Sequence, residues 1–501
     1  MTSNQDHNHD KDEVKHDVNY DVIIVGAGLA GLIAGNRAAE LGLKPLVLEK
    51  SADELYLCNS RYTGGFFHLC FESLHRPPEV LKDVLRRRMR GVSRDDLIDA
   101  VADDAGRAVD WLQHNGANFV KAGPEGWKNT VLSPVAMRET GLHWEGRGGD
   151  VLLQGLGHSL TTRGGVLQRG VRVERLLMEE GRCVGVEVDG VMSGPLRAKA
   201  VVLADGGFQA DLDRLRRGIS SQPERLVQRN AKSGSGDGVR MAEAVGAMLV
   251  NMDSFYGHLL HIDAMQSDQL WPYPMIDWIA TAGVLVDGQG ERFCDEAEGG
   301  VFMANAVAKS QNPLGNVVIF DEAIWQSAGR LGMLSCNPHL EQAGAEIITA
   351  PDLATLAHKL DMPIDKLQAT VNAFNKACED GSFDQMVPPR SAKKEAQIEE
   401  GERVLGSSGA LLPVQVAPFR AIRIAARITY TSGGILTDKD GHVLDLDENQ
   451  IPGLFAAGST TGGLEGGAHA GYTGGLSKTA VFALRAAEQI VKEEQADQAR
   501  R

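Results

Sequence analysis

The stretch Tyr20–Lys50, YDVIIVGAGLAGLIAGNRAAELGLKPLVLEK, decides the fold. Its pattern predicts an apolar strand, a glycine turn, an Ala- and Leu-rich helix and a second apolar strand. Gly26 permits the tight turn, Gly28 lets the backbone approach a pyrophosphate, and Gly31 lets the helix pack against the strand. The helix N-terminus offers free N–H groups to an anion. Glu49 ends the second strand, where a carboxylate accepts hydrogen bonds from a ribose 2′-OH. This unit predicts a site for an ADP-containing dinucleotide.

The composition indicates the broad class of protein. With 501 residues the chain is long enough for two domains and a large core. Its net charge of −16 argues against nucleic acid or an anionic membrane surface as a partner. No apolar run is long enough to span a bilayer, and the polar N-terminus lacks the apolar segment of a secretory signal. The 6 cysteines are scattered without CxxC pairs, a pattern typical of reduced thiols and not of a metal site. We therefore expect a cytoplasmic protein without a bound metal.

Further glycine clusters lie at 59–65, 205–207, 234–238, 458–463 and 471–475. Several follow a short apolar run, as ligand-binding loops do at the ends of buried strands. Between them, 171–173 and 183–188 alternate like the two strands of an antiparallel hairpin. The clusters come from both ends of the chain. We therefore expect the two ends to build one nucleotide-binding domain and the middle of the chain to be an insertion.

Taken in order, the motifs GAGLAG…LEK, NSRYTGG, VVLADGGF, GSGDG, TSGGI and GLFAAGSTTGG resemble those of the fumarate reductase/succinate dehydrogenase flavoprotein superfamily. The resemblance covers nearly the whole chain after the N-terminal tail. It implies bound FAD, a mobile cap domain over the flavin, and chemistry at a C–C bond next to a carbonyl or carboxylate. The loop 59–65 has no histidine, which related enzymes use for a covalent flavin link. We therefore expect noncovalent FAD.

The expected architecture is α/β, with a Rossmann-like FAD-binding domain around a parallel central sheet and an inserted α+β capping domain. The predicted boundaries are a disordered polar tail at 1–18, the N-terminal part of the FAD-binding domain at 19–250, the substrate-capping domain at 251–419 and the C-terminal part of the FAD-binding domain at 420–501. A ligand site is expected in the cleft between the two domains.

The resemblance also implies which residues hold FAD. Glycines of the first turn, together with Glu49, would hold the ADP half, and the loop 59–65 would lie near the flavin. The residues carried over from the motifs are Gly26, Gly28, Ala30, Gly31, Glu49, Lys50, Ser60, Arg61, Thr63, Gly64, Gly65, Val173, Ala204, Gly206, Asp237, Gly458, Gly475, Leu476 and Ser477.

Departures from the fumarate reductase pattern point to the substrate. The arginine that donates a proton in those enzymes is missing from 297–300, and Tyr430 stands where a histidine is expected. The arginine that binds a substrate carboxylate is missing from 471–475. A dicarboxylate needs cationic partners, because unpaired carboxylates are costly to bury. Fumarate and succinate are therefore disfavoured, whereas a phenol can hydrogen-bond a neutral ketone.

This pattern is similar to that of flavin-dependent ketone desaturases, such as 3-ketosteroid Δ1-dehydrogenases and 4-oxocyclohexanecarboxylate dehydrogenases. The resemblance implies desaturation between the α and β carbons of a cyclic ketone, with proton abstraction and hydride transfer to flavin N5. Tyr472 and the Gly474 N–H would polarise the ketone, and Tyr430 would take the α-proton. In the cap, His258 and Tyr256 occupy a substrate-facing position. An aromatic wall is expected from Trp271, Tyr273, Trp278 and His261.

Two alternatives remain open at this point. The chain could be a carboxylate-acting dehydrogenase or ene-reductase, like tricarballylate dehydrogenases or fumarate reductases, with Arg61, Arg147 or Arg423 as the cation. It could also be a flavin subunit that passes electrons to a partner. The sequence has no CxxCH haem motif and no cysteine cluster for iron–sulfur. Electrons would therefore leave to O₂, a quinone or a carrier protein, and only one ADP fingerprint is present, so NAD(P)H is not expected.

Overall fold

The structure is a computed structural model that describes residues 20–391 and 411–500. The predicted polar tail at 1–18 lies outside the described residues. The strands are β1 Tyr20–Val25, β2 Pro45–Glu49, β3 Phe119–Val120, β4 Val131–Leu132, β5 Val166–Arg169, β6 Val171–Glu179, β7 Arg182–Gly190, β8 Gly194–Leu203, β9 Val227–Gln228, β10 Leu249–Val250, β11 Phe255–His261, β12 Val284–Val286, β13 Val317–Asp321, β14 Ile348–Ala350, β15 Phe419–Thr431, β16 Gly434–Ile435, β17 His442–Leu444 and β18 Gln450–Ala456.

Helices connect and cover these strands. They are α1 Leu29–Glu40, α2 Pro78–Met89, α3 Asp95–His114, α4 Gly148–Thr162, α5 Leu212–Gly218, α6 Asp237–Ala244, α7 Asp277–Ala282, α8 Gly300–Lys309, α9 Glu322–Gln326, α10 Cys336–Gln342, α11 Leu353–Leu360, α12 Ile364–Asp380 and α13 Gly475–Arg500. The mixed α/β class is therefore confirmed.

The larger sheet has the order β17-β18-β8-β1-β2-β5, and β1, β2, β5, β8 and β18 pair in parallel. β1 is apolar on both faces because Val22 and Ile24 join one hydrophobic cluster, while Ile23 and Val25 join the other. Continuous apolar runs of this kind are typical of parallel strands that are covered on both sides. β18 comes from the C-terminal part of the chain, so both chain ends build this sheet, as the glycine clusters predict.

The predicted antiparallel hairpin is confirmed. β6 and β7 pair antiparallel through a tight turn, and β7 also pairs with β8, which attaches the hairpin to the larger sheet. At the turn, Glu180 and Gly181 both have positive φ values, of 48° and 79°.

A second sheet belongs to the inserted segment and has the order β11-β15-β13-β12, with β14 and β9 paired to β15. β15 begins at Phe419, so the predicted boundary between 419 and 420 falls at its first peptide. Its partners β11, β13 and β14 lie within 251–419, whereas its partner β9 comes before residue 251. The chain thus completes the cap sheet with β15 before it returns to the larger sheet. We therefore propose that the cap extends to the end of β15, near residue 431.

Candidate functional site

A first cleft opens at the carboxyl ends of the parallel strands β1, β2 and β8, where α/β sheets bind ligands. Its empty space, together with the open solvent at its mouth, amounts to about 860 Å³. Most of the predicted FAD-binding residues line it, although they come from distant parts of the chain. Those that line it are Gly26, Gly28, Ala30, Glu49, Lys50, Ser60, Val173, Ala204, Gly206, Asp237 and Gly458.

The turn before α1 has the features of a pyrophosphate site. Gly28 is the N-cap of α1 and has no side chain to cap the helix, and the Leu29 N–H donates to Ser60 Oγ at 3.1 Å. The first turn of α1 contains no acidic residue, so the positive end of the helix dipole is not neutralised there. A Cβ added at Gly206 would meet no protein atom within 4 Å, although Gly206 lines the cleft. The space beside this backbone is therefore free for a ligand.

Glu49 is held in place by the backbone. Its Oε2 accepts a hydrogen bond from the Ala27 N–H at 3.2 Å, and its Oε1 accepts one from the Ser51 N–H at 2.9 Å. Each carboxylate oxygen has a second lone pair, so the oriented side chain can still accept a hydrogen bond from a ribose hydroxyl. This geometry fits the predicted role of Glu49.

Two buried oxygen atoms on the cleft wall have no partner among the described residues, namely Asp205 Oδ1 and Gln209 Oε1. Asp205 Oδ2 accepts a hydrogen bond from the Gly238 N–H at 2.7 Å. Burial raises the pKa of Asp205 to about 6. Buried acceptors are normally satisfied, so these atoms call for donors from a ligand. The hydroxyl groups of FAD supply such donors, and the cleft therefore fits the cofactor.

A second cleft continues from the first, and its empty space, including the open solvent at its mouth, amounts to about 1170 Å³. Asn59, Ser60, Ser459 and Thr479 line both. The second cleft lies between the loop 59–64, the start of α13 and the cap strands β11 and β15. Predicted residues that line it are Ser60, Thr63, Gly64, Tyr256, His258, Tyr430, Tyr472, Gly475 and Leu476, together with Trp271 and Tyr273 from the predicted aromatic wall. A cofactor in the first cleft can therefore extend its ring system to this second cleft.

Other predicted residues line neither cleft. The Arg61 side chain turns into the core, where it pairs with Asp150 and donates to the Tyr56 carbonyl oxygen at 2.7 Å. This buried pair makes Arg61 structural, which is a correction to its predicted place beside the flavin. Gly31 lies behind the turn, where an added Cβ would collide with the Gly26 carbonyl oxygen. Gly65, Ser477, Arg147, Arg423, Trp278 and His261 also lie outside both linings.

A chain of hydrogen-bonding groups crosses the second cleft. His258 Nδ1 contacts the Asp277 carboxylate, and its Nε2 lies 3.0 Å from the Tyr256 phenol oxygen. Asp277 also accepts a hydrogen bond from the Leu259 N–H at 2.8 Å, which fixes the carboxylate. With Nδ1 donating to Asp277, Nε2 is the acceptor for the Tyr256 hydroxyl, as in a catalytic triad. Burial lowers the pKa of His258 despite Asp277, so the imidazole is neutral at pH 7.

Tyr472 extends this chain. Its ring stacks on that of Tyr256 with a centroid distance of 4.0 Å and an interplanar angle of 18°. Burial raises the pKa of both phenols, but their mutual hydrogen bond lowers the pKa of Tyr256 and raises that of Tyr472. The Tyr472 hydroxyl also lies 3.5 Å from the Gly475 N–H.

Tyr430 belongs to a different network. Its phenol donates to Glu465 Oε2 at 3.0 Å, and the same carboxylate pairs with Lys478. Burial and the adjacent Glu465 hold the pKa of Tyr430 well above its usual value. The phenol is therefore kept protonated, which disfavours the predicted role of Tyr430 as the base.

The predicted role of Gly474 also needs correction. Its N–H points at Glu465 Oε1, 3.3 Å away, and Gly474 does not line the cleft. The next residue, Gly475, does line it.

Sequence reasoning missed several residues of this site. Asp277, Glu465 and Lys478 lie outside the motifs, and only the folded chain brings them to the tyrosines. His68 also lines the second cleft, and burial lowers its pKa to about 3, so it is neutral. Its ring lies 5.7 Å from that of Tyr472. Two arginines, Arg229 and Arg427, line the same cleft.

Metal and membrane features can be described for the same residues. Within 20–391 and 411–500, no group of three or more His, Cys, Asp or Glu side chains is placed to hold a metal ion. In the described part of the chain, no helix is both long and apolar enough to cross a membrane.

Known proteins match this chain along most of its length. A family model described as an FAD binding domain matches residues 21–476. The NADH:fumarate oxidoreductase of Klebsiella pneumoniae is 25% identical over 485 residues, which are 94% of this chain and 48% of that relative. The chain therefore spans about half the length of that relative. The 4-oxocyclohexanecarboxylate 2-dehydrogenase of Sinomonas cyclohexanicum is 24% identical, over 91% of this chain and 89% of its own.

Among solved structures, the 3-ketosteroid delta1-dehydrogenase of Sterolibacterium denitrificans has a TM-score of 0.73 at 22% identity. The match covers 95% of this chain and 100% of that one, and it shows a shared fold. The family match, the similarity along the chain and the cleft with its unpaired acceptors agree on the cofactor. The chain belongs to the FAD binding domain family, a family of flavoprotein oxidoreductases that includes fumarate reductases, and its cofactor is FAD.

Proposed function

We propose that this flavoprotein desaturates a cyclic ketone between its α and β carbons. The observation that carries the proposal is the chain of groups from Tyr472 through Tyr256 to His258 and Asp277 in the second cleft. Removal of an α-proton by a phenol needs a second group that accepts the phenol's own proton. It also needs a hydrogen-bond donor to the developing enolate oxygen. This chain of groups provides both.

The donors act on the ketone oxygen. The Gly475 N–H donates a long hydrogen bond of 3.5 Å to the Tyr472 hydroxyl, and both residues line the second cleft, so a ketone oxygen that enters between them would accept from both groups. Negative charge grows on that oxygen as the α-proton leaves, so hydrogen bonds to it strengthen in the transition state. Gly475 replaces Gly474 in this role, because the Gly474 N–H is engaged by Glu465.

Tyr256 is the base in this proposal. A neutral phenol is a weak base at pH 7, so it must lose its own proton as it takes one from the substrate. His258 Nε2 receives that proton from the phenol, and Asp277 stabilises the imidazolium. Bound FAD would supply the hydride acceptor for this reaction, so the substrate would give up one proton and one hydride. Tyr256 replaces Tyr430, whose phenol Glu465 holds protonated.

Two relatives support a ketone as the substrate. The names 4-oxocyclohexanecarboxylate 2-dehydrogenase and 3-ketosteroid delta1-dehydrogenase both describe oxidation of a ring that carries a ketone. The electron acceptor in this proposal is O₂, a quinone or a carrier protein.

The test is anaerobic bleaching of the flavin absorbance of the purified holoenzyme. The panel holds cyclohexanones, a 3-ketosteroid, tricarballylate and succinate. Bleaching by the ketones, and not by tricarballylate or succinate, is the expected result. Bleaching by succinate or tricarballylate alone would refute the proposal. Reoxidation of dithionite-reduced enzyme by enoates, with no bleaching by any compound, would identify a reductase instead.

Variants assign the roles of the tyrosines. Tyr256→Phe and Tyr472→Phe are each expected to slow bleaching by about 10²-fold or more, the usual effect of losing an acid–base group or an oxyanion donor. Tyr430→Phe is the matched comparison, since its phenol lines the same cleft but is bonded to Glu465. It should slow bleaching much less. A larger effect at Tyr430 than at Tyr256 would return the role of base to Tyr430.

A further inference from the structure

Arg427 is a buried cation that forms no ion pair within the described ranges 20–391 and 411–500. Its side chain is 1% exposed. One guanidinium nitrogen donates to the Pro272 carbonyl oxygen, and Nη2 lies 2.8 Å from the Met275 sulfur. Its Nε lacks a hydrogen-bond partner in the part of the chain that the structure describes. Sulfur and a carbonyl oxygen carry no formal charge, so the positive charge of Arg427 is not neutralised by these contacts.

Arg229 is a second cation of this cleft whose charge is not balanced by a nearby carboxylate among the described residues. Its Nη1 lies 3.4 Å from Thr429 Oγ1, and its Nε has no partner. Its guanidinium lies 5.6 Å from the centre of the Tyr273 ring. Among the described residues, neither Arg229 nor Arg427 forms an ion pair with an Asp or Glu side chain.

Strand pairing fixes the two arginines beside each other. Arg427 on β15 pairs with Val227 of β9, and Arg229 follows β9 directly. The Arg229 N–H donates to the Ile428 carbonyl oxygen at 3.0 Å. On its other side β15 pairs with β11, which places His258 opposite Arg427. The arginines therefore belong to the same cleft wall as the proposed proton relay.

The protein supplies little negative charge to balance them. Burial and the neighbouring Arg229 hold the pKa of Arg427 well below its ordinary value, while Asp277 partly offsets the shift. The Asp277 oxygens are already engaged by His258 and by the Leu259 N–H. A buried cation that lacks a close anion is strongly disfavoured, and a bound anion removes that penalty. Guanidinium groups match a carboxylate geometrically, because both are planar and can form paired hydrogen bonds.

We propose that the ketone substrate carries a carboxylate, which Arg229 and Arg427 bind while Tyr472 and Gly475 hold the ketone oxygen. This inference rests on the proposed function and names its substrate class, a small cyclic oxo acid. Apolar side chains from Trp271, Met275 and Met333 also line the cleft and suit the hydrocarbon ring between the two polar groups.

The test measures binding separately from turnover. Cyclohexanecarboxylate and cyclohexanecarboxamide have nearly the same shape but differ in charge, and neither has a ketone to acidify an α-proton. Calorimetric titration of the full-length, FAD-loaded protein is expected to show tighter binding of the carboxylate. Arg229→Gln should weaken carboxylate binding by about tenfold or more, the usual effect of losing a hydrogen bond to a charged group, and leave amide binding within about twofold.

Arg225→Gln is the matched control. Arg225 lies four positions before Arg229, donates to Asn312 Oδ1 at 2.6 Å and does not line the cleft. It should leave both affinities unchanged. Arg229 is only half-buried, so its substitution is expected to be tolerated even if Arg427→Gln prevents folding.

Three outcomes decide the inference. Equal affinity of the wild type for the carboxylate and the amide would overturn it. It would also be overturned if Arg229→Gln shifted the flavin spectrum and left carboxylate affinity unchanged, because the arginine would then serve the flavin. Arginine-dependent carboxylate binding without bleaching by any ketone would support the anion site and refute the ketone reaction, which separates the two proposals.

Discussion

Gly28 and Gly31 belong to the same glycine motif, but the atoms that surround them differ. Gly28 has an extended backbone conformation, and an added Cβ would lie 3.7 Å from Ser60 Oγ, which is ordinary contact. An added Cβ at Gly31 would collide with the Gly26 carbonyl oxygen. We therefore expect the ligand to require Gly28 and the packing of the protein to require Gly31.

This contrast gives a prediction for single alanine variants. Gly28→Ala should leave the urea unfolding of FAD-free protein unchanged, but it should weaken FAD binding by about tenfold or more, since a methyl group would occupy the pyrophosphate approach. Gly31→Ala should lower the free energy of unfolding by about 1–3 kcal/mol or more, as overpacking does. Fluorescence titration with FAD and urea unfolding measure the two effects. Normal FAD affinity in Gly28→Ala would place the pyrophosphate elsewhere.

At the scale of elements, patterns within one segment could be predicted and pairings between segments could not. The glycine turn, the parallel strands and the hairpin of β6 and β7 depend on neighbours in the sequence, and they are confirmed. The groups around the tyrosines depend on the pairing of β11, β15 and β9, which sequence periodicity does not encode. Arg229 and Arg427 are 198 positions apart and meet only through that pairing. The cations that we name from the sequence are Arg61, Arg147 and Arg423. Arg61 instead pairs with Asp150 inside the core, and none of the three lines either cleft.

The contact between β17 and α13 predicts a pH dependence of stability. His442 on β17 bonds Asp438 Oδ2 at 2.8 Å and Glu493 Oε1 on α13 at 2.5 Å. Burial lowers the pKa of His442, but these carboxylates outweigh that effect and raise it to about 9, above the ordinary 6.5. Because the folded protein holds the proton more tightly, the stabilisation is complete below pH 6.5 and is lost as the pH rises through about 9.

His442→Gln should therefore flatten the decline of the free energy of unfolding between pH 6.5 and 9. Urea unfolding at a series of pH values measures this, and His75→Gln, at an exposed position, is the control. An equally steep decline in His442→Gln would mean that other groups cause it.

At the scale of the whole molecule, the nucleotide cleft joins distant parts of the chain. Gly28, Asp205, Asp237, Gly458 and Thr479 line one cavity, although they come from the first strand-turn-helix unit, the middle of the FAD-binding domain and the C-terminal part. The inserted cap interrupts the chain between them. FAD bound in this cleft would therefore bridge the N-terminal and C-terminal parts of the domain, which the peptide connects only through the cap, and we expect its binding to stabilise both parts together.

Loss of FAD is expected to loosen these segments selectively. At a free FAD concentration of about 100 times its Kd, binding adds about 2.7 kcal/mol to the free energy of unfolding. Hydrogen exchange followed by mass spectrometry should show faster exchange in FAD-free protein at 26–31 and 458–479, because residues of both segments line the proposed FAD cleft. Strand β13 in the cap sheet is fully buried and lines neither cleft, so its exchange should change little and serves as an internal control. Equal loss of protection in β13 and in the loops would mean that FAD supports the cap core as well, and that the two sheets unfold as one cooperative unit.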